Sequence, residues 1–140
     1  RNQLKYIKKF LKIRKENYAF LSNSLKNFES FKILSHLENK NFQSSYYCFS
    51  ILVNKKNLKY RELIIKELNS YGLGTSIYYP KPVPLLDYYK KKLKLKKDNF
   101  KISNLISNSS INLPIGPHLS VKDIKKIVKI IIKVFDKYER

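Results

Sequence analysis

Tyr46-Tyr47-Cys48-Phe49-Ser50-Ile51-Leu52-Val53 carries β-branched and aromatic residues almost without a break. Such side chains fit a pleated, packed surface, so this run predicts the central strand of a sheet. Upstream, residues 28–34 alternate Phe, Ser, Phe and Ile around Lys32 and predict a short second strand, with 35–44 a polar loop. Before them, Leu4, Ile7, Leu11, Tyr18, Leu21 and Leu25 recur at helical spacing among Lys, Glu and Asn, which predicts one long amphipathic helix over 2–26. Downstream, 54–57 reads as a turn. Leu58, Leu63, Ile64 and Leu68 then resume helical spacing over 58–71, and Gly72 supplies the stop.

Residues 75–79 predict another strand, which runs into Pro80, Pro82 and Pro84. Three prolines at alternate positions forbid helix and favour a stiff, extended loop. A short helix over 85–93, a solvated lysine run over 90–97 and a helical face of Phe100, Ile102, Leu105 and Ile106 follow. Residues 111–113 read as a strand and Pro114, Gly116 and Pro117 as a turn. Ser120 with Asp123 caps a strongly amphipathic helix over 121–138. The order α, β, β, α, β, α, α, β, α predicts an α/β fold: a two-layer α+β sandwich with helices on one face of a small, mostly antiparallel sheet.

A chain of 140 residues is the size of one domain, and no apolar run approaches the roughly 18 residues of a membrane span. Nor is there a signal-peptide core. The single Cys48 excludes an internal disulfide and has no Cys or His near it in sequence at metal-ligand spacing, so a reducing cytoplasm is expected and a metal site is not. Met is absent, even at position 1, which reads as a piece of a longer chain. The net charge of +20 raises nucleic acid or an anionic membrane as a partner. The lysines are spread along the chain among Asn, Ile and Tyr, however, which is the mark of an AT-rich coding sequence rather than of one basic patch.

Catalysis by this chain alone needs a nucleophile, a base and an orienting group, and no such set stands out. His36 reads as a surface residue, His118 as a loop-packing one and Cys48 as a small core residue with nothing nearby in sequence to lower its pKa. Glu62, Glu67, Asp98 and Asp123 fall on helices or their ends, where solvation and capping explain them. Gly72 and Gly74 suit a helix stop and a strand entry better than a phosphate cradle. The loop Tyr78-Tyr79-Pro80-Lys81-Pro82-Val83-Pro84 combines two aromatic faces, a cation and a stiff backbone. It can hold a ligand by stacking and by a point charge, or serve only as a structural turn.

Two stretches carry a family resemblance. Tyr60-Arg61-Glu62-Leu63 through Tyr71-Gly72-Leu73-Gly74-Thr75-Ser76-Ile77 leads into the 78–84 loop, and Asn112-Leu113-Pro114-Ile115-Gly116-Pro117-His118-Leu119-Ser120 follows later. In order and spacing they resemble the DegT/DnrJ-type sugar aminotransferases. Residues 13–25, with Arg14, Asn17 and Tyr18, resemble the helix that joins that family's two domains. The resemblance implies a fold-type-I enzyme whose pyridoxal phosphate, bound to a lysine of a large domain, carries an amino group to a keto sugar nucleotide, usually from glutamate. It implies residues 1–27 as an inter-domain helix, 28–140 as the C-terminal small domain, and a large domain outside this chain, so no residue here is expected to be catalytic. It also implies a homodimer. By carry-over, Tyr78, Tyr79, Lys81 and His118 are expected to line the substrate site. Tyr78 stands at the usual histidine position, Pro84 where a second histidine is common and Leu86 where glutamine is frequent. The competing reading is a small basic module that stacks tyrosines on single-stranded nucleic acid.

Overall fold

A computed structural model describes residues 2–35 and 41–139, apart from the side chains at 97 and 98. Three strands, β1 (Phe31–Ile33), β2 (Phe49–Val53) and β3 (Ser110–Leu113), form one antiparallel sheet in chain order. Phe31 lies opposite Val53, Ile33 opposite Ile51, Ile51 opposite Ile111 and Phe49 opposite Leu113. Because side chains alternate along a strand, this register gathers those apolar residues on one face.

Helices α1 (Ile7–Leu25), α2 (Arg61–Ser70) and α5 (Val121–Phe135) share a core with that face. Leu21 and Leu25 come from α1, Ile64 and Leu68 from α2, and Ile124, Ile131, Val134 and Phe135 from α5, all buried. Rings set the spacing: Phe135 meets Phe31 edge-on at 4.7 Å and Tyr18 lies 5.1 Å from Phe49. Each such side chain contributes about 1.5–3 kcal/mol by leaving water. The lysines of α5 all face outward, so the charge does not enter the core. Ser120 and Asp123 close the predicted capping box, and the bonds from Ser120 hold the Asp123 carboxyl below its usual range.

The other face of the sheet is polar and still partly covered. Ser50 donates to the Asn112 side chain, which in turn donates to the Ser76 carbonyl at 3.1 Å. Arg61, at the start of α2, reaches the Ser110 carbonyl at 2.7 Å and the Ser107 carbonyl at 3.2 Å, satisfying acceptors at the end of α4 (Lys101–Ser109). Burial there lowers the pKa of its guanidinium, with Glu62 opposing.

Several sequence expectations need correction. The strand over 75–79 is a single bridge, Ser76 to Asn112, because Pro114 has no N–H for the next pair on one side and Arg61 takes the Ser110 carbonyl on the other. The central strand begins at Phe49 rather than 46, since Tyr46 takes φ 47°, outside any strand geometry. The helices over 2–26 and 58–71 each open with a 3-10 turn, Gln3–Tyr6 and Lys55–Tyr60. The short helix after the prolines, α3, is confined to Asp87–Lys92. The expected apolar face of α4 is not a core face: Ile102 and Leu105 are exposed while Ser107 and Ser109 are buried. His36 lies outside the described residues.

Candidate functional site

Beyond β3 the chain turns through Pro114, Ile115, Gly116 and Pro117, with Leu113 and Ile115 buried as anchors. Helix α1 holds this turn, since the buried Asn17 donates from its amide to the Gly116 carbonyl at 3.4 Å. Arg14 sits three residues earlier and therefore on the same side of the helix. On the opposite side Ser76 exchanges both backbone hydrogen bonds with Asn112, at 2.8 and 3.2 Å, which fixes where residues 74–78 run. These three distant segments enclose a cleft of about 330 Å³ whose walls include Arg14, Tyr47, Ser76, Tyr78, Asn112 and His118.

Its polar walls bring together one guanidinium, two phenols and an imidazole. The Arg14 Cζ lies 5.8 Å from the centre of the Tyr47 ring, and its Nε is removed from solvent with no hydrogen-bond partner among the described residues. The Tyr47 and Tyr78 rings are 6.3 Å apart. The hydrogen bond Tyr47 shares with Tyr78, followed by the charge of Tyr78, raises the pKa of the Tyr47 phenol, so it keeps its proton at neutral pH; Arg14 opposes this. His118 is seated against Gly116: a Cβ there would come within 2.4 Å of the imidazole Cε1 and 2.6 Å of Nδ1. A side chain at 116 would therefore push the His118 ring out of this seat.

The structure separates the four expected substrate residues. Tyr78 and His118 share the cleft. Tyr79 is 69% exposed and does not line it. Lys81 borders a different hollow of about 250 Å³, with Pro82, Leu85, Lys90 and Asn104. Its ammonium pairs with Asp87 at 2.9 Å, which holds the Asp87 carboxyl below its usual range. Arg14 and Tyr47 were not legible as site residues. The spacing of Arg14 and Asn17 on one helix was the available signal, while nothing in the strand pattern marked Tyr47. A wider hollow of about 710 Å³ beside β1 shares no lining residue with the cleft.

Among the described residues, no three His, Cys, Asp or Glu side chains stand close enough to hold a metal ion. Pyridoxal phosphate needs a lysine amine for its carbonyl carbon and an acidic group for its ring nitrogen. The cleft walls contain neither a lysine nor a carboxylate, so they do not hold that cofactor by themselves.

Comparison with known proteins agrees with the fold. Superposition on Helicobacter pylori PseC, an aminotransferase involved in the biosynthesis of pseudoaminic acid, gives a TM-score of 0.86 at 23% identity, covering 98% of this chain and 36% of that one. The PLP form of Spr1654 from Streptococcus pneumoniae gives 0.84 at 26% identity, covering 99% of this chain and 34% of that one. An uncharacterized protein of Methanocaldococcus jannaschii, MJ1066, is 26% identical over 134 residues, covering 95% of this chain and 34% of that protein. The chain therefore spans about a third of the length of the relatives it matches. No described helix is long and apolar enough to cross a membrane. The model of the DegT/DnrJ/EryC1/StrS aminotransferase family matches residues 1–132, nearly the whole chain, and the chain belongs to that family.

Proposed function

We propose that this chain is the C-terminal part of a pyridoxal-phosphate-dependent aminotransferase that transfers an amino group, with glutamate as donor, to a keto sugar nucleotide in the cytoplasm. The observation that carries this reading is convergence. Residues 14–17, 74–78 and 112–118, which hold the family-like motifs, meet at one cleft inside a chain that the family model matches almost throughout. The missing lysine and carboxylate fit a division of labour: a preceding large domain supplies the cofactor, whose chemistry is to act as electron sink and amino carrier. This chain supplies part of the substrate wall.

In that wall Tyr78 and His118 face the sugar nucleotide, with phenol and imidazole hydrogen-bonding its polar groups. Tyr79 and Lys81, further along the same loop, form the outer rim, where an exposed ring and a cation meet the far end of the ligand. Helix α1 joins the two domains, and the full protein acts as a homodimer. Its product is an amino sugar for a surface glycan or a related compound.

The test is the visible absorbance of lysine-bound pyridoxal phosphate in the full-length protein. The reading predicts a band that disappears when one lysine of the preceding domain is replaced. A folded full-length protein that binds no cofactor rejects it.

A further inference from the structure

On the walls of the cleft the Arg14 Nε is removed from solvent without a hydrogen-bond partner among the described residues. An orphaned buried donor costs free energy that a structure ordinarily avoids, and a charged one costs more. Nothing in the walls is built to relieve it. Asn17, the neighbouring polar residue on the same side of α1, is committed to Gly116, and the acidic residue nearest in sequence, Glu16, pairs at 4.0 Å with Lys12 on the exposed side. The His118 ring and the Tyr47 and Tyr78 hydroxyls, which share a hydrogen bond, converge on the same space, and none of them carries a negative charge at neutral pH. A cleft of about 330 Å³ with an unpartnered guanidinium nitrogen and no carboxylate of its own is complementary to an anionic head group with several oxygens.

We propose that Arg14 is the anchor of an anion subsite, binding the carboxylate or phosphoryl oxygens of a substrate through its guanidinium. This rests on the aminotransferase reading above and says which part of a substrate this side of the cleft takes. The planar fork of arginine matches two coplanar oxygens, which a lysine at the same place does not. Tyr47, under the guanidinium, restrains its plane. Two substrates carry such a group: the amino donor brings carboxylates and the sugar nucleotide brings a diphosphate.

The experiment is isothermal titration of the full-length enzyme with 2-oxoglutarate and, separately, with inorganic pyrophosphate, for the wild type, Arg14→Gln and Arg14→Lys. The expected result is that Arg14→Gln weakens one probe roughly ten- to a hundredfold while the melting temperature and cofactor absorbance stay those of the wild type. Loss confined to 2-oxoglutarate assigns the subsite to the donor, and loss confined to pyrophosphate assigns it to the sugar nucleotide. Unchanged affinity for both, or a wild type that binds neither, overturns the proposal. If Arg14→Gln does not keep the wild-type melting temperature, Arg14→Lys decides: a two-oxygen contact predicts roughly a tenfold loss, and unchanged affinity for both probes overturns it. Absence of cofactor absorbance in the wild type sinks the aminotransferase reading separately, since the titrations read Arg14 without it.

Discussion

The turn over 112–118 and the loop over 78–89 both carry residues that the family resemblance marks for substrate, yet they are built differently. The turn grows out of β3 with Leu113 and Ile115 buried and its backbone tied to Asn17 and Ser76. The loop leaves the sheet after one bridge and shows Tyr78, Tyr79, Val83, Tyr88 and Tyr89 to solvent, with Leu85 its buried anchor and Lys81–Asp87 its ion pair. Only the turn can position a side chain through core packing. The loop depends on proline stiffness and on whatever packs against it.

That contrast is open to measurement. Phe49→Ala, beneath the turn and opposite Leu113, is expected to cost about 3–5 kcal/mol, read as a lower urea midpoint at unchanged slope. A loss below about 1 kcal/mol would break the claim that the turn rests on the core. Asn112→Ala removes the Ser50 hydroxyl's acceptor and one of the two donors to the Ser76 carbonyl, and is expected to cost about 1–3 kcal/mol in the same melts. It also leaves the Ser76 bridge to its two backbone bonds alone, so amide exchange at Ser76 should accelerate.

The smallest effect belongs to the loop. The Asp87 carboxyl is depressed by its bond and charge contact with Lys81, so any stability it adds is fully present above the ordinary aspartate pKa of about 3.9. That stability is lost as pH falls through the lower folded value. The pair is exposed, so Asp87→Asn should leave the midpoint at pH 7 within error and remove only a shallow acid slope that added salt also removes. A large loss at pH 7 would show that the loop is held as firmly as the turn.

The sandwich was legible because its signals repeat: apolar residues at helical spacing in α1, α2 and α5, a nearly unbroken β2, and the Ser120 cap. The misread parts are those where single residues decide. Tyr46 in a left-handed conformation shortens β2, and Pro114 and Arg61 at the neighbouring pairing positions reduce a strand to the Ser76 bridge. In α4 the periodicity of Ile102 and Leu105 was read correctly as a face, but tertiary packing buries the serines instead. Of the cleft, Tyr78 and His118 were legible through the motifs around them. Arg14 joins them because Asn17 docks α1 onto Gly116, a contact across 99 residues that no local pattern encodes, and Tyr47 because β2, which follows it, pairs with β3. The family resemblance groups Lys81 with Tyr78, whereas the stiff loop carries it to a separate hollow.

The most direct test of the cleft as substrate wall compares Tyr78→Ala and His118→Ala with the wild type in the full-length enzyme, following the KM for the sugar nucleotide together with cofactor absorbance. The account predicts a KM raised about tenfold in each variant, as expected for a lost hydrogen bond to a charged or polar ligand, with the cofactor band unchanged. A KM equal to that of the wild type in both variants, or a cofactor band lost in either, would contradict it.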